Sequence, residues 1–412
     1  MTSKEQFKTT APDYQSYGEI VWGQFKKYKL SLYSVYGVAA LFVLAILCPF
    51  IALNVPFFLY LPEGVGPERL QGWTFPWLYA LFDQNFFESG VDVFFNFLIF
   101  YAPLTGIAWL IARGHLSKEK AAYIRQRFNF FAIASLVGLV LFSLVYIFAP
   151  RQPFVNYLLL AELEGARAFF PLLEYSYRDG NIRMISEGPS MEHFLGTDRQ
   201  GRDVFTRLLY GTRISLTIGV VAVSIYTTIG LVLGSLAGYF GGRVDTIILR
   251  LVEIMMCFPV LFLILTLVGF IREPSIFHIM LIIGFTGWTG IARLVRGEFL
   301  RLRNLDFVQA AVALGFTRTR IIFRHVLPNA VQPVFVAATF GIAGAILVEA
   351  TLSFLGVGPV GAPSWGQILN DGRTTGQYSL ILSSGFAIFI TISLLNLIGE
   401  GLRDATDPKM RK

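Results

Sequence analysis

Eight apolar segments, each long enough to cross a lipid bilayer as a helix, constrain the fold of this chain more than any other feature of its sequence. A membrane-spanning helix needs about 20 consecutive, mostly apolar residues. The segments lie at approximately residues 31–53, 94–112, 130–149, 212–237, 251–271, 276–296, 331–355 and 381–402. The sequence therefore predicts an all-α, polytopic transmembrane protein with about eight spans.

The composition argues against a soluble globular protein. Charged residues make up 15% of the chain and hydrophobic residues 54%, whereas soluble domains are about 25% charged. The net charge of +7 does not indicate nucleic-acid binding here, because basic residues concentrate in loops that stay cytoplasmic. Both cysteines, Cys48 and Cys257, lie inside apolar segments, which argues against a disulfide framework or a cysteine metal site.

The distribution of basic residues predicts the orientation of the spans. If eight spans alternate, four basic regions fall on one side of the membrane. These contain Lys4, Lys8, Lys26, Lys27 and Lys29; Arg113, Lys118, Lys120, Arg125 and Arg127; Arg293, Arg296, Arg301 and Arg303; and Arg403, Lys409, Arg411 and Lys412. The loop 54–93, on the opposite side, has Arg69 as its one basic residue. The positive-inside rule therefore predicts that both termini are cytoplasmic. The first span starts too late for an ordinary cleaved signal peptide, so we expect a retained anchor.

Several motifs of catalysis and nucleotide binding are missing from the sequence. There is no Gly-Lys dipeptide, and hence no phosphate-binding loop of the G-x-x-x-x-G-K-[ST] kind. The four histidines are scattered without an H-E-x-x-H motif, and no G-x-S-x-G elbow occurs. We therefore expect no catalytic residue, cofactor site or metal site in this chain. If ATP drives the protein, a separate chain must bind the nucleotide.

One amphipathic, basic stretch interrupts the apolar pattern, DFVQAAVALGFTRTRIIFRHVLPN at residues 306–329. Its apolar residues recur at helical spacing on both sides of Gly315, which permits a bend. Pro328 is expected to end the second helix, because its ring cannot continue the hydrogen-bond ladder. The stretch thus predicts two short cytoplasmic helices with a glycine turn. They are either a helix held to anionic lipid by arginine or a protein-docking element in which Ala310 and Ala311 leave room for a partner.

The spacing of Gln309-Ala310-Ala311, Gly315 and Leu327-Pro328 resembles the E-A-A-x(3)-G-x(9)-I-x-L-P loop of binding-protein-dependent ABC importer permeases. Here Gln309 stands at the usual Glu position and His325 at the Ile position. The resemblance implies that residues 306–324 are coupling helices that sit in a cleft of an ATPase subunit. The residues expected to serve this contact are Asp306, Gln309, Ala310, Ala311, Gly315, Arg318, Arg320, Arg324, His325 and Pro328.

Three further stretches resemble the C-type permease subunit of dipeptide, oligopeptide and nickel importers. They are LGTDRQGRDVFTRLLYGTRISL (195–216), LSFLGVGPVGAPSWGQILNDGR (352–373) and GEGLRDATDPK (399–409). In the first, Thr197 or Asp198 is expected to cap a short interfacial helix, with Asp203 in its first turns. Its arginines, Arg202, Arg207 and Arg213, are expected to reach lipid headgroups. The second is expected to form a structured turn or re-entrant loop.

The resemblance implies an ABC importer permease core with an extra N-terminal helix pair, because the family usually has six spans. The expected divisions are a cytoplasmic segment 1–30, an anchor with two extra spans 31–150, an extracytoplasmic loop and interfacial helix 151–211, a five-span core 212–402 and a cytoplasmic tail 403–412. The implied partners are a second permease, two ATPase subunits that hold ATP and Mg²⁺, an extracytoplasmic solute-binding protein and membrane lipids.

The resemblance implies alternating-access import of peptide across a bacterial inner membrane, with nickel or another small solute as the alternative. A channel or ion-driven transporter is the rival from another class, and only Glu349 favours it, as an ionisable group deep in a span. For Glu349 two roles stay open, a pathway or gate residue and a structural ion pair. Near the fifth span, Gly241-Gly242 predicts a turn and Asp245 a helix cap, with a second contact to the ATPase as the alternative for residues 238–253. Cys257-Phe258-Pro259 predicts a kink, with a moving hinge as the alternative.

Overall fold

A computed structural model of the protein describes residues 17–115, 120–149, 151, 155–359 and 361–407. Most of the described chain is helical. The helices are α1 (Tyr17–Phe25), α2 (Lys29–Ile51), α3 (Pro76–Ala80), α4 (Gly90–Arg113), α5 (Lys120–Ile147), α6 (Tyr157–Ala161), α7 (Val204–Phe240), α8 (Gly242–Met256), α9 (Val260–Gly269), α10 (Ile276–Thr286), α11 (Trp288–Leu302), α12 (Asp306–Ala313), α13 (Arg318–Ile321), α14 (Leu327–Phe354), α15 (Trp365–Thr375) and α16 (Tyr378–Thr406). Lys4, Lys8, Lys118, Lys409, Arg411 and Lys412 lie outside the described residues.

The prediction of an all-α protein with about eight spans is confirmed. Seven helical stretches are long and apolar enough to cross a membrane. An eighth span is the broken pair of α8 and α9, which bends by 79°. The break falls at Cys257-Phe258-Pro259, the position of the predicted kink. Proline lacks the backbone N–H that a continuous helix would need there.

The predicted interfacial helix before the fourth span is wrong. Residues 204–240 form one 37-residue helix, α7, which packs against α2, α10, α11 and α14. Its cap is Asp203, whose Oδ1 accepts the backbone N–H of Thr206 at 2.7 Å, and not Thr197 or Asp198. Residues 204–240 contain no proline, so the helix continues into the span.

The prediction that Arg207 and Arg213 reach lipid headgroups is also wrong. Their side chains are 2% and 0% exposed. A buried guanidinium is tolerated only where carboxylates and carbonyls satisfy it. Both arginines have such partners, supplied by segments far away in the sequence.

Three glycines of α7 form a seam against α11. A β-carbon on Gly230 would lie 2.6 Å from the Ile291 Cβ, one on Gly234 would lie 2.5 Å from the Ala292 carbonyl oxygen, and one on Gly238 would lie 2.5 Å from the Phe299 Cβ. The spacing of four residues places all three on one face of the helix. Small residues at this spacing let membrane helices approach closely. The α7–α11 contact therefore depends on the missing side chains.

The loop between α2 and α4 and the loop between α5 and α7 fold together into one small subdomain, and this fold includes strands that the sequence did not predict. The strands are β1 (Phe58–Leu61), β2 (Gly72–Thr74) and β3 (Arg167–Phe169). They form an antiparallel sheet in the order β2-β1-β3, with Leu59 opposite both Thr74 and Ala168. Leu59, Leu61, Trp77 and Tyr157 contribute to a shared apolar cluster beneath the sheet.

The extra helix α4 is attached to the permease core through Arg213 of α7. The guanidinium of Arg213 pairs with Asp92 of α4, with NH1 3.2 Å from Oδ1, and donates through NH2 to Asn96 Oδ1 at 2.9 Å. Its Nε donates to the Ala45 carbonyl of α2 at 2.7 Å. One buried arginine thus joins three spans. Helix α5 contacts α4 and is mostly exposed along its apolar length.

The stretch 352–373 is a turn followed by a helix. After α14 ends at Phe354, the chain turns through Gly356 and Gly361, both with positive φ. Helix α15 then begins beside Ser364, whose hydroxyl accepts the N–H of Gln367 at 3.2 Å. This helix packs against α7, α14 and α16. The expected structured turn is present, and a helix that packs against the core follows it.

Candidate functional site

The coupling segment, residues 306–324, begins with a short helix that is anchored on one side and exposed on the other. Val308 and Ala311 of α12 are 2% and 4% exposed and belong to the main apolar core. Phe307, Ala310 and Leu314 share another face of the helix and are exposed. We call these three residues the exposed stripe. Of the predicted pair of alanines, Ala310 therefore faces outward, whereas Ala311 is used for packing within the chain.

Large apolar side chains are also exposed in the rest of the segment. Leu314 is 72% exposed and Phe323 is 65% exposed. Asp306, Gln309, Arg318, Arg320 and Arg324 are also exposed. An apolar patch rimmed by polar and charged groups is typical of a protein-interaction surface. The segment has the surface chemistry that docking to another protein requires.

Gly315 makes the predicted bend. Its φ is +74°, a conformation that L-residues with a side chain adopt only with strain. The backbone N–H of Gly315 donates to the Val312 carbonyl at 2.9 Å, and that of Phe316 donates to the Ala311 carbonyl at 3.2 Å. No atom lies within 4 Å of a β-carbon built on Gly315. The glycine is therefore required by the backbone angle, and space remains beside it.

The predicted end of the second helix at Pro328 is wrong. Helix α13 continues through a π-helical turn at Ile322–Val326 into α14, so residues 318–354 form one continuous helix. Pro328 lies in the first turn of α14. A proline inside a helix removes one hydrogen bond and crowds the preceding turn, and a π-turn accommodates such a mismatch. The wide turn lets the helix continue where an α-helical ladder would stop.

A small aromatic stack holds the bend against the start of this long helix. The Arg320 guanidinium carbon lies 4.0 Å from the centre of the Phe316 ring. The His325 ring stacks on the same phenyl group at a centroid distance of 5.8 Å. The hydroxyl of Thr317 accepts the N–H of Arg320 at 3.4 Å and caps α13. Arg320 and His325 thus shape the segment from within, in addition to any contact they make outward.

Polar contacts link Gln309 of the coupling segment to the ends of α11 and α7, and an ion pair joins α11 to α8. Gln309 Nε2 donates to the Arg303 carbonyl at 3.0 Å, and Arg303 NH1 donates to the Gly238 carbonyl at 3.2 Å. Arg296 pairs with Asp245 through two hydrogen bonds of 2.5 and 2.7 Å. The prediction that Asp245 caps α8 is therefore wrong, since α8 begins at Gly242 without a side-chain cap. The unusual Gln309 has an intramolecular role that a glutamate oxygen could not fill as a donor.

Glu349 lies at the opposite end of the long helix and is fully buried. Its Oε1 accepts the hydroxyl of Ser353 at 2.7 Å. Among the ion pairs of the described residues, Glu349 has none, which argues against the structural ion pair as its role. The alternative role as a pathway or gate residue stays a prediction.

The residues described here contain no group of three or more His, Cys, Asp or Glu side chains that could hold a metal ion.

The features that the sequence analysis did not predict are the burial of Arg207 and Arg213 and the glycine seam. The repeated G-x-x-x-G spacing at Gly230, Gly234 and Gly238 is a recognisable signal of close helix packing. The distant acidic partners, Asp371 of Arg207 and Asp92 of Arg213, have no comparable signal, because they lie in other segments.

The sequence was compared with protein families and with known proteins. Residues 230–412 match the family model described as a binding-protein-dependent transport system inner membrane component. The oligopeptide transport system permease protein OppC of Haemophilus influenzae is 39% identical, over 68% of this chain and 85% of that protein. The dipeptide transport system permease protein DppC of Alkalihalophilus pseudofirmus is 38% identical, over 72% of this chain and 91% of that protein.

Among solved structures, an inward-facing form of the MetNI methionine ABC transporter is similar over 49% of this chain and 98% of the matched chain, at 21% identity and a TM-score of 0.42. The sequence relatives, the family model and the apolar helices agree on one assignment. The chain belongs to the binding-protein-dependent inner-membrane permeases of ABC importers, as a multi-pass transport subunit.

Proposed function

We propose that this chain carries peptides across the inner membrane as one permease of an ATP-driven importer. The substrate class rests on its relatives, which are named as oligopeptide and dipeptide permeases. The single observation that carries the coupling role is the exposed apolar surface of residues 306–324, which surrounds a glycine of positive φ. The expected assembly contains a second permease, two ATPase subunits that bind ATP and Mg²⁺, and an extracytoplasmic binding protein. Both termini are cytoplasmic.

The proposed mechanism is alternating access driven from the cytoplasmic side. Closure of the ATPase pair displaces the coupling segment, which contacts the ATPase through its exposed stripe. Because residues 318–354 form one helix, a displacement at Arg318 moves the extracytoplasmic end of α14 as well. That end contains Glu349 and leads into α15. The continuous helix is therefore the element that links nucleotide binding to the opening of the translocation path.

Replacing Leu314 by arginine should release the ATPase subunits. The change places a charge in a surface that must lose water on docking, and interface residues of this kind contribute about 2 kcal/mol or more. We expect about 30-fold less ATPase to co-purify in mild detergent, and loss of ATP-driven uptake of a labelled peptide into proteoliposomes. Leu172→Arg is the matched control, because Leu172 is 82% exposed in the extracytoplasmic loop. Equal ATPase recovery from both variants would contradict the coupling role.

Gly315→Trp and Gly315→Asn separate the need for a positive φ at the bend from the need for space toward the partner. Asparagine tolerates positive φ better than other residues with a side chain, so Gly315→Asn should keep much of the transport rate. Tryptophan is strained at this angle and also projects toward the partner, so Gly315→Trp should abolish both ATPase docking and uptake. Co-purification and uptake are measured together. A channel or ion-driven transporter would keep its transport activity with either residue, and that outcome would refute the importer mechanism.

A further inference from the structure

A polar cavity of about 450 Å³ opens on the extracytoplasmic side of the core. It lies where the loop before α7 meets the turn after α14 and the helix α15. Arg199, Arg202 and Arg207 line one wall, and Gln367, Asn370 and Asp371 line another. Volumes of about 300–1,000 Å³ are typical of small-molecule sites. The cavity is therefore large enough to hold the end of a short peptide.

Three guanidinium groups in this cavity share two carboxylates. Arg207 NH1 donates to Asp198 Oδ2 at 2.5 Å and to Asp371 Oδ2 at 2.9 Å. Arg202 Nε donates to the same Asp198 oxygen at 2.7 Å. Arg199 Nε lies 3.2 Å from Asp371 Oδ1. At the rim, Arg178 pairs with Glu88. The guanidinium groups of Arg199, Arg202 and Arg207 therefore outnumber their two carboxylate partners by one.

The excess charge has consequences within the cluster. Burial lowers the pKa of the Arg202 guanidinium, and repulsion by Arg207 lowers it further, despite the nearby aspartates. The Nε atom of Arg207 is buried and has no hydrogen-bond partner within the described residues. A buried donor without a partner is costly. Arg199 is 55% exposed and presents further donors to the opening.

We propose that this cavity binds the terminal carboxylate of a peptide as it passes from the binding protein into the permease. Guanidinium groups recognise carboxylates through paired hydrogen bonds. The side-chain amides of Gln367 and Asn370 add donors and acceptors that suit peptide amides. Gly358 leaves the opposite wall without a side chain, where a β-carbon would lie 2.2 Å from the Ser353 hydroxyl. The assignment rests on the proposed peptide substrate and places part of its recognition in this chain.

The test compares a labelled tripeptide acid with its C-terminal amide on the intact complex in nanodiscs without binding protein. We expect the acid to bind about 10-fold more tightly than the amide, a difference of about 1.4 kcal/mol. Arg199→Gln removes the excess charge and should abolish this selectivity, whereas Arg199→Lys should keep part of it. Arg199 is chosen because its exposure makes the substitution tolerable, in contrast to buried Arg207. Arg183→Gln is the control, since Arg183 is an exposed arginine that does not line the cavity.

Equal affinity of acid and amide for the unmodified complex would overturn the proposal. It would also be overturned if Arg199→Gln kept the selectivity for the acid. A third contrary result is a variant that loses only the capture of the binding protein, since the cavity would then be a docking site for an acidic loop of that protein. Uptake assays separate this proposal from the proposed function. A complex that binds the acid selectively but imports no peptide would refute the peptide substrate and leave the carboxylate site in place.

Discussion

Gly234→Leu is expected to prevent the chain from folding into a stable helix bundle. A β-carbon at this position would lie 2.5 Å from the Ala292 carbonyl oxygen and 2.8 Å from the Val295 Cβ. Both neighbours belong to α11, and a backbone oxygen cannot move aside as a flexible side chain would. Extra methylene groups in a well-packed core typically cost about 1–3 kcal/mol of folding stability. Leucine must in addition force α7 away from α11. Thermal unfolding and the yield of monodisperse protein in detergent measure the effect.

Gly385→Leu on α16 is the matched control for this prediction. No atom lies within 4 Å of a β-carbon built at Gly385. Leucine has a higher helix propensity than glycine by roughly 0.5–1 kcal/mol at either position, so propensity alone favours both changes. If Gly234→Leu destabilised the protein and Gly385→Leu did not, the loss of stability would be caused by packing against α11 and not by helix propensity. If Gly234→Leu were as stable as Gly385→Leu, the close approach of α7 and α11 would be refuted.

Asp92→Ala should destabilise the protein by about 3–5 kcal/mol, because it leaves the buried guanidinium of Arg213 without its counter-ion. The pair lies where α4 meets α7, and both side chains are at most 1% exposed. Tyr177, in the loop between α5 and α7, also donates to Asp92 Oδ2 at 3.1 Å. Loss of the carboxylate therefore loosens α4 and the loop together. Thermal unfolding in detergent and protease resistance of the subdomain that contains the β-sheet report the change.

Two further variants test whether the charge pair is responsible. The double variant Asp92→Leu with Arg213→Met removes both charges and should recover much of the lost stability, as apolar replacement of buried pairs often does. Glu253→Ala deletes a carboxylate from the exposed pair Arg250–Glu253 and should cost at most about 1 kcal/mol. If the double variant were less stable than Asp92→Ala, the unpaired charge would not be the cause.

Acid should weaken the cluster of charged side chains around Asp198. Burial raises the pKa of this carboxyl, but the charges of Arg207 and Arg202 outweigh burial and hold the pKa below its usual value. A carboxyl with a lowered pKa stabilises the fold above its unfolded pKa of about 3.9. This stability is lost as the pH falls through the lower folded value. Thermal unfolding between about pH 2 and 5 covers this loss, and Asp198→Asn should flatten the pH dependence in the acidic part of the range.

Much of the coupling segment was predictable from its residues. Gly315 makes the bend, and the exposed charges lie where an amphipathic pattern places them. The course of the chain beyond the bend was not predictable, because proline normally ends a helix and a π-turn has no clear sequence signal. Similarly, Arg207 and Arg213 were expected at the membrane surface, because sequence spacing does not show that the chain folds carboxylates onto them. Asp198 lies nine residues before Arg207, but the other partners, Asp371 of Arg207 and Asp92 of Arg213, are 164 and 121 residues away.

The sequence by itself determined the number of spans, the family of the chain and the position of the coupling bend. Hydropathy, helix breakers and short motifs are properties of neighbouring residues, so they can be read along one segment. Only the tertiary structure decided which charges are neutralised, which glycines face another helix and which loops join into a sheet. Those outcomes depend on the low dielectric and close packing of the interior, where the free energy of a side chain is set by whichever distant segment lies against it.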